Sequence, residues 1–133
     1  MGVFIKREQD YGLRICIYLG GIKHDQPVSI AQLAKALHIT RPIATKIVYQ
    51  LKQHRIIETI QGKLGGVKLA VKAADLSMIS ILEALGFDSQ INECIKIPGI
   101  CPFHASCKVH RYFDDINRVL INQLTEKRIS DFI

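Results

Sequence analysis

The sequence predicts a mainly α-helical fold that carries one small β-hairpin. Three observations predict it. Apolar residues recur at helical spacing through most of the chain. Two short β-type runs flank a glycine-rich hexapeptide, Gln61-Gly62-Lys63-Leu64-Gly65-Gly66. Ser29 and Thr40 stand immediately before two of the apolar stripes, where helix caps belong.

Residues 4–20 form the first expected helix, with Leu13, Ile15, Cys16, Ile17 and Leu19 as its apolar members and Gly20-Gly21 as its stop. Ser29 opens a second helix, with Gln32 three residues on at capping-box spacing and Ile30, Leu33, Ala34 and Leu37 as its stripe. His38-Ile39 makes a tight turn. Thr40 caps a third helix, whose first turn tolerates Pro42. In that helix Ile43, Ala44, Ile47, Val48 and Leu51 are expected to face inward, which leaves Arg41, Thr45, Lys46, Tyr49, Lys52 and Gln53 facing out. Residues 56–60 and 67–70 are the two strands, and the glycines between them permit a tip that can approach another backbone closely. Residues 76–85 form a helix closed by Gly86. A last helix runs from about residue 105 to 124 with Val109, Phe113, Ile116, Leu120 and Leu124 on one stripe.

Charge is divided unevenly along the chain. Residues 1–72 hold 12 Lys and Arg against 4 Asp and Glu, a net +8; residues 73–133 hold 6 against 8, a net −2. A basic first half suits a polyanion, although a Lys-rich surface alone is common. The order of elements is more specific. Two short helices joined by a tight turn, the second with a basic, hydrogen-bonding outer face, followed by a glycine-tipped hairpin, describe a winged helix-turn-helix. Residues 1–72 are therefore expected to be a module for double-stranded DNA, with Thr40, Arg41, Thr45, Lys46 and Tyr49 on the recognition helix and Gln61 and Lys63 on the wing. Residues 73–133 form a second region. Its final helix carries more apolar surface than a chain of this size covers, so it is expected to be a dimerisation helix. A homodimer would match a palindromic operator.

Three of the four cysteines crowd into that second region as Cys94-x6-Cys101-x5-Cys107, with His110 just beyond. Pro98 and Gly99 keep the intervening stretch from being a regular helix. Three thiols and an imidazole at this density favour an iron–sulfur cluster, zinc or Cu(I). Structural zinc and a cluster-free thiol redox sensor both remain open on these residues. Cys16 lies on an apolar helix face and reads as a small core residue, and His104 is a weaker ligand candidate. The first apolar stretch is interrupted by Lys6, Arg7, Glu8 and Asp10, so no signal peptide is expected, and no apolar run is long enough to span a membrane. A cytoplasmic location with reduced thiols follows as the expectation. No nucleophile–base set, phosphate loop or dinucleotide fingerprint is present, so the chain is not expected to be an enzyme.

Several stretches together resemble a known family. Asp10-Tyr11-Gly12-Leu13-Arg14, Val28-Ser29-Ile30, Ile39-Thr40, the wing from Gln61-Gly62-Lys63-Leu64-Gly65-Gly66 to Leu69-Ala70, and Cys101-Pro102-Phe103-His104-Ala105-Ser106-Cys107 are similar to the Rrf2 superfamily of bacterial winged-helix regulators, in its iron–sulfur-binding IscR-, NsrR- and RirA-like branches. The resemblance implies a transcriptional regulator, a repressor first, that senses iron, nitric oxide or redox state through a cluster on Cys94, Cys101 and Cys107. It offers two fourth ligands. IscR-like members place a His where His110 stands, with a 2Fe–2S cluster. NsrR-like members use an Asp of the partner's first helix, where Asp10 stands, with a 4Fe–4S cluster. The loop's likeness to RirA puts 4Fe–4S and Asp10 ahead. Gln61 replaces the usual wing Arg, and Thr45 stands where IscR carries a Glu, which implies a different operator.

Overall fold

In the computed structural model, which describes residues 3–23, 26–97 and 99–133 with His104 by its backbone alone, the side chains of Ser29, Thr40, Ser77 and Asn92 each cap the helix that follows. Pro98 and the His104 side chain, both weighed in the cysteine region, lie outside the described residues. The helices are α1 (Arg7–Gly20), α2 (Ile30–Leu37), α3 (Arg41–Gln53), α4 (Met78–Ala84), α5 (Glu93–Lys96) and α6 (Lys108–Glu126). The strands are β1 (Ile57–Ile60) and β2 (Gly66–Leu69), and short 3-10 turns cover Ala73–Asp75, His104–Ser106 and Ile129–Phe132. The fold is the expected one, mainly helical with a two-stranded sheet.

The helix-turn-helix forms as its caps dictate. Ser29 Oγ accepts from the Gln32 N–H at 3.1 Å and Thr40 Oγ1 from the Ile43 N–H at 3.4 Å. Between the two helices His38 adopts a left-handed conformation, φ 55°. The α3 residues Ala44, Ile47, Val48 and Leu51 are buried as expected. Ile43 is not: it is 36% exposed. It sits in the first turn of α3, where a side chain leans toward the helix N-terminus and beyond the cover of α2.

α1 starts at Arg7, three residues later than expected. The Lys6 N–H donates to Gln9 Oε1 at 2.8 Å, and Phe4 turns away to meet the Phe87 ring edge to face, centroids 5.1 Å apart. The hairpin pairs antiparallel from Ile57↔Leu69 to Ile60↔Gly66. Val28 is stitched to it, with Val28 N–H to Val67 O at 2.9 Å and Val67 N–H to Val28 O at 2.8 Å. That close approach requires glycine at position 66: its φ is +154°, and a Cβ would lie 2.5 Å from Val28 O.

One hydrophobic core spans both parts of the chain. Ile15, Cys16, Leu33, Ile47, Leu51 and Ile57 are buried together with Ile81, Leu82, Phe87 and Ile129. The last of these belongs to a C-terminal turn that the sequence reading leaves unassigned. Met78 N–H donates to Lys127 O and Ile129 N–H to Leu76 O, both at 2.9 Å. This ties the chain end to the start of α4.

α6 begins at Lys108 rather than near residue 105, because residues His104–Ser106 form a 3-10 turn and Cys107 is the cap. It packs mainly on α4 and α5. Its inward side is the polar-mixed one, with buried Asn117 accepting from the Ile91 N–H at 3.0 Å and with Ile121 and Leu124 against the core. Of the expected stripe, Leu124 faces the core, whereas Val109, Phe113 and Ile116 are exposed. Among the described residues no helix is long and apolar enough to cross a membrane.

Ile129 is fully buried. Ile129→Ala is expected to lower the free energy of unfolding in urea by about 2–5 kcal/mol. A loss below about 1 kcal/mol, the scale of a surface change, would show that the C-terminal turn is not part of the cooperative core.

Candidate functional site: a basic helix face and a cysteine cluster

The outer face of α3 is continuous. Arg41, Thr45, Lys46, Tyr49, Lys52 and Gln53 are all exposed, with Thr40 at its origin. The Thr40 hydroxyl oxygen is occupied by the cap, so its proton remains to donate. Thr45, Tyr49 and Lys52 line a shallow hollow of about 200 Å³ with Thr59 and Val67 of the hairpin, so helix and hairpin present one surface. At the hairpin tip Gln61 and Lys63 are exposed. Among the described residues Glu58 and Glu8 pair with this basic surface. Glu58 lies 3.4 Å from Lys68 across the strands, and Glu8 Oε1 of α1 lies 2.9 Å from Lys46 Nζ. The second pair joins residues distant in sequence and has no local signal.

The cysteine region is built around the origin of α6. Cys107 caps that helix, its Sγ accepting from the His110 N–H at 3.4 Å. His110 lies one turn in, and its Nδ1 is 3.3 Å from Cys94 Sγ on α5. Asn92 caps α5 by accepting from the Ile95 N–H at 3.2 Å, and the same oxygen takes the Cys94 thiol at 3.3 Å. Asn92 is a partner that a cap residue two places before a cysteine could have signalled. Lys96 pairs with Asp88, which holds the Asp88 carboxyl below and the Lys96 ammonium above their usual ranges and anchors α5 to the preceding loop.

So the chain brings Cys94, Cys107 and His110 together, while Cys101 stands half-buried on the loop between them. No group of three or more His, Cys, Asp or Glu reaches metal-holding geometry among the described residues. In donor chemistry the set fits a thiophilic metal or an iron–sulfur cluster: Cys94 Sγ lies against the His110 imidazole, Cys107 Sγ takes the backbone N–H of the same residue, and a third thiol lies on the connecting loop. Asp10 is on α1, where its Oδ2 is 3.0 Å from Arg14 Nε, the i, i+4 partner. It lines a groove with Leu13, Ile17, Tyr18 and Met78. Cys16 is wholly buried, and burial pushes its thiol far above the usual range. It is a core residue.

A third feature is the outward side of α6. Tyr112, Ile116, Val119 and Leu120 line a shallow apolar groove of about 430 Å³ with Asp115 and Gln123 at its rim. Val119 is 58% and Tyr112 63% exposed, and Tyr112 stacks edgewise on Phe113. The most apolar side of the longest helix is thus uncovered by its own chain.

Comparison with known proteins identifies relatives of the whole chain. A profile of the Rrf2 family, iron-dependent transcriptional regulators, matches residues 5–133. The transcriptional regulator NsrR of Geobacillus kaustophilus is 30% identical over 125 residues, 93% of this chain and 85% of that protein. NsrR of Oceanobacillus iheyensis is 28% identical over 131 residues, 97% of this chain and 88% of that protein. The structure of CymR, the global cysteine regulator of B. subtilis, superposes with a TM-score of 0.76 at 19% identity, covering 98% of this chain and 96% of that one. These relatives are regulators and not enzymes, as the sequence led us to expect. With the helix-turn-helix, the wing and nearly the full length matched, the chain belongs to the Rrf2 family of transcriptional regulators.

Proposed function

We propose that the chain is a cytoplasmic, homodimeric repressor that binds a palindromic operator and carries an iron–sulfur cluster on Cys94, Cys101 and Cys107 as its sensor of iron, nitric oxide or redox state. The observation that carries the cluster reading is the meeting of Cys94, Cys107 and His110 at the origin of α6. Its donors are soft thiols with an imidazole, the ligand types that iron–sulfur clusters take. Bound there, the cluster would supply a redox- and iron-sensitive group.

The chain's own residues supply the rest. α3 enters the major groove. Arg41 and Lys46 take phosphate or base-edge contacts, and Thr40, Thr45 and Tyr49 hydrogen-bond along the helix. Gln61 and Lys63 bring the wing to the flanking backbone or minor groove. The uncovered side of α6 meets its twin, which sets the spacing of the two α3 helices. The fourth ligand has two candidates. His110 already lies beside Cys94, which favours it within one chain. Asp10 of the partner subunit is the second reading, and it would exchange its ion pair with Arg14 for a bond across the dimer. The first goes with a 2Fe–2S and the second with a 4Fe–4S cluster by resemblance to the family's branches.

The DNA surface is tested by Lys46→Ala and Lys63→Ala. Each should weaken binding to all duplexes and reduce the slope of log affinity against log salt by about 1. Parental affinity at every salt concentration in both variants would remove α3 and the wing from the interface. The cluster is tested by iron and acid-labile sulfide after anaerobic purification. Both should be present in the parent and in Cys16→Ala, and be lost from Cys94→Ala, Cys101→Ala and Cys107→Ala. Stoichiometric zinc without sulfide would establish the structural-zinc alternative instead, and a metal-free protein with oxidisable thiols the redox one. Mössbauer spectra of Asp10→Ala and His110→Ala then separate the fourth ligands. For assembly, Val119→Asp should convert the dimer to a monomer in analytical ultracentrifugation, because a charge would be buried in an apolar contact. An unchanged mass would place the dimer contact elsewhere.

A further inference from the structure

Lys46 is the cation of the recognition helix whose ion pair lies outside that helix. Its Nζ is 2.9 Å from Glu8 Oε1, and the two side chains are 59% and 50% exposed. They are 38 positions apart in sequence, so the contact is made by the packing of α1 against α3. Glu8 is not free to swing away with its helix. The next residue, Gln9, is buried, with its amide Nε2 donating to Leu85 O at 3.3 Å and its Oε1 accepting from Lys6 N–H. The first turn of α1 therefore holds a carboxylate at the edge of the face formed by Arg41, Thr45, Lys46, Tyr49 and Lys52.

A carboxylate in that position is chemically a competitor of the nucleic-acid phosphate. Both are anionic oxygens that a lysine ammonium takes as a point charge. When a duplex docks on α3, Lys46 must leave Glu8 to reach a phosphate or a base edge. The Glu8 carboxylate then remains beside a line of like charges. An exposed ion pair is weak, so the exchange lowers affinity without abolishing binding. We propose that Glu8 is a negative determinant of DNA binding that acts through Lys46: it masks this cation in the free protein and reduces affinity for any duplex, leaving base contacts to decide which sites are held. The proposal rests on the reading of α3 as the DNA-binding helix.

A double-mutant cycle tests it. Affinities of the full-length protein, Glu8→Gln, Lys46→Ala and the double variant are measured on a random-sequence duplex at low ionic strength by fluorescence anisotropy, with circular dichroism confirming the fold of each. Glu8→Gln keeps the side-chain shape and removes the charge. It should bind about two- to fivefold more tightly, the range that an exposed ion pair allows. Lys46→Ala should bind more weakly than the parent. In the Lys46→Ala background the Glu8→Gln gain should disappear. Glu8→Gln binding no better than the parent, with Lys46→Ala still weakened, would overturn the proposal and leave the DNA surface standing. A gain of equal size with and without Lys46 would overturn it too, because Glu8 would then act as a general surface charge. If the parent and all variants fail to bind DNA, the reading of α3 fails, and this inference fails with it.

Discussion

The close packing of α1 is the constraint on which the other elements depend. α1 lies against α4, the C-terminal turn, α3 and β2. Ile15 and Cys16 are fully buried between these elements. At Gly12 the approach is close: a Cβ would lie 2.1 Å from Leu85 Cδ1 and 3.6 Å from Ile81 Cγ2, so any larger residue would displace the Leu85 side chain. Gln9, one turn earlier, spends both ends of its amide on backbone groups, which is what makes a polar residue at 2% exposure tolerable in this core. Helix, cap and core contact thereby fix the rotation of α1 about its axis. That rotation in turn decides that Asp10 and Arg14 face a groove and that Glu8 reaches α3.

The same packing makes one unit of two halves that differ in charge. The basic part and the acidic part do not have separate cores. Ile81, Leu82 and Ile129 complete the burial begun by Ile15, Leu33 and Ile47. A chain of 133 residues has little apolar surface to spare, so dividing the core would leave neither half covered. What is spared is spent on the outward side of α6, where Tyr112, Ile116 and Val119 stand exposed. On the proposed reading that side is where the chain meets its twin.

Local chemistry was legible in the sequence, and choices between faces were not. Ser29 and Thr40 announce α2 and α3 because a cap depends on residues three apart. The hairpin follows from its glycines for the same reason. α6 carries apolar residues on two sides, and periodicity alone cannot say which side turns inward. Asn117 settles it, through a hydrogen bond to a backbone group 26 positions away. Ile43 shows the same limit: its spacing matches the buried stripe of α3, yet it lies one turn past the edge of the cover. The C-terminal turn was missed because a single isoleucine, Ile129, has no period to read. The cysteines were legible as a group by composition. Their meeting at His110, with Asn92 as a support, needed α5 and α6 to be placed.

That placement bears on how a signal at the cysteines could reach DNA. Cys107 is at once a candidate ligand and the cap of α6, so a pull on its sulfur acts on the helix origin itself. α6 rests on α4 and is followed by its C-cap Lys127, whose carbonyl takes the N–H of Met78 at the start of α4. Two residues later Ile129 enters the core beside α1. From α1 the chain of contacts passes to α3 by packing and by Glu8 to Lys46. Between the Cys107 cap and the Glu8–Lys46 ion pair the links are packed helices and backbone hydrogen bonds, and packed cores shift between discrete arrangements rather than bending smoothly. On the proposed reading, a change at the cysteines need not travel through the dimer alone. Within one chain it meets a run of packed elements from α6 through the C-terminal turn and α1 to Lys46 of α3.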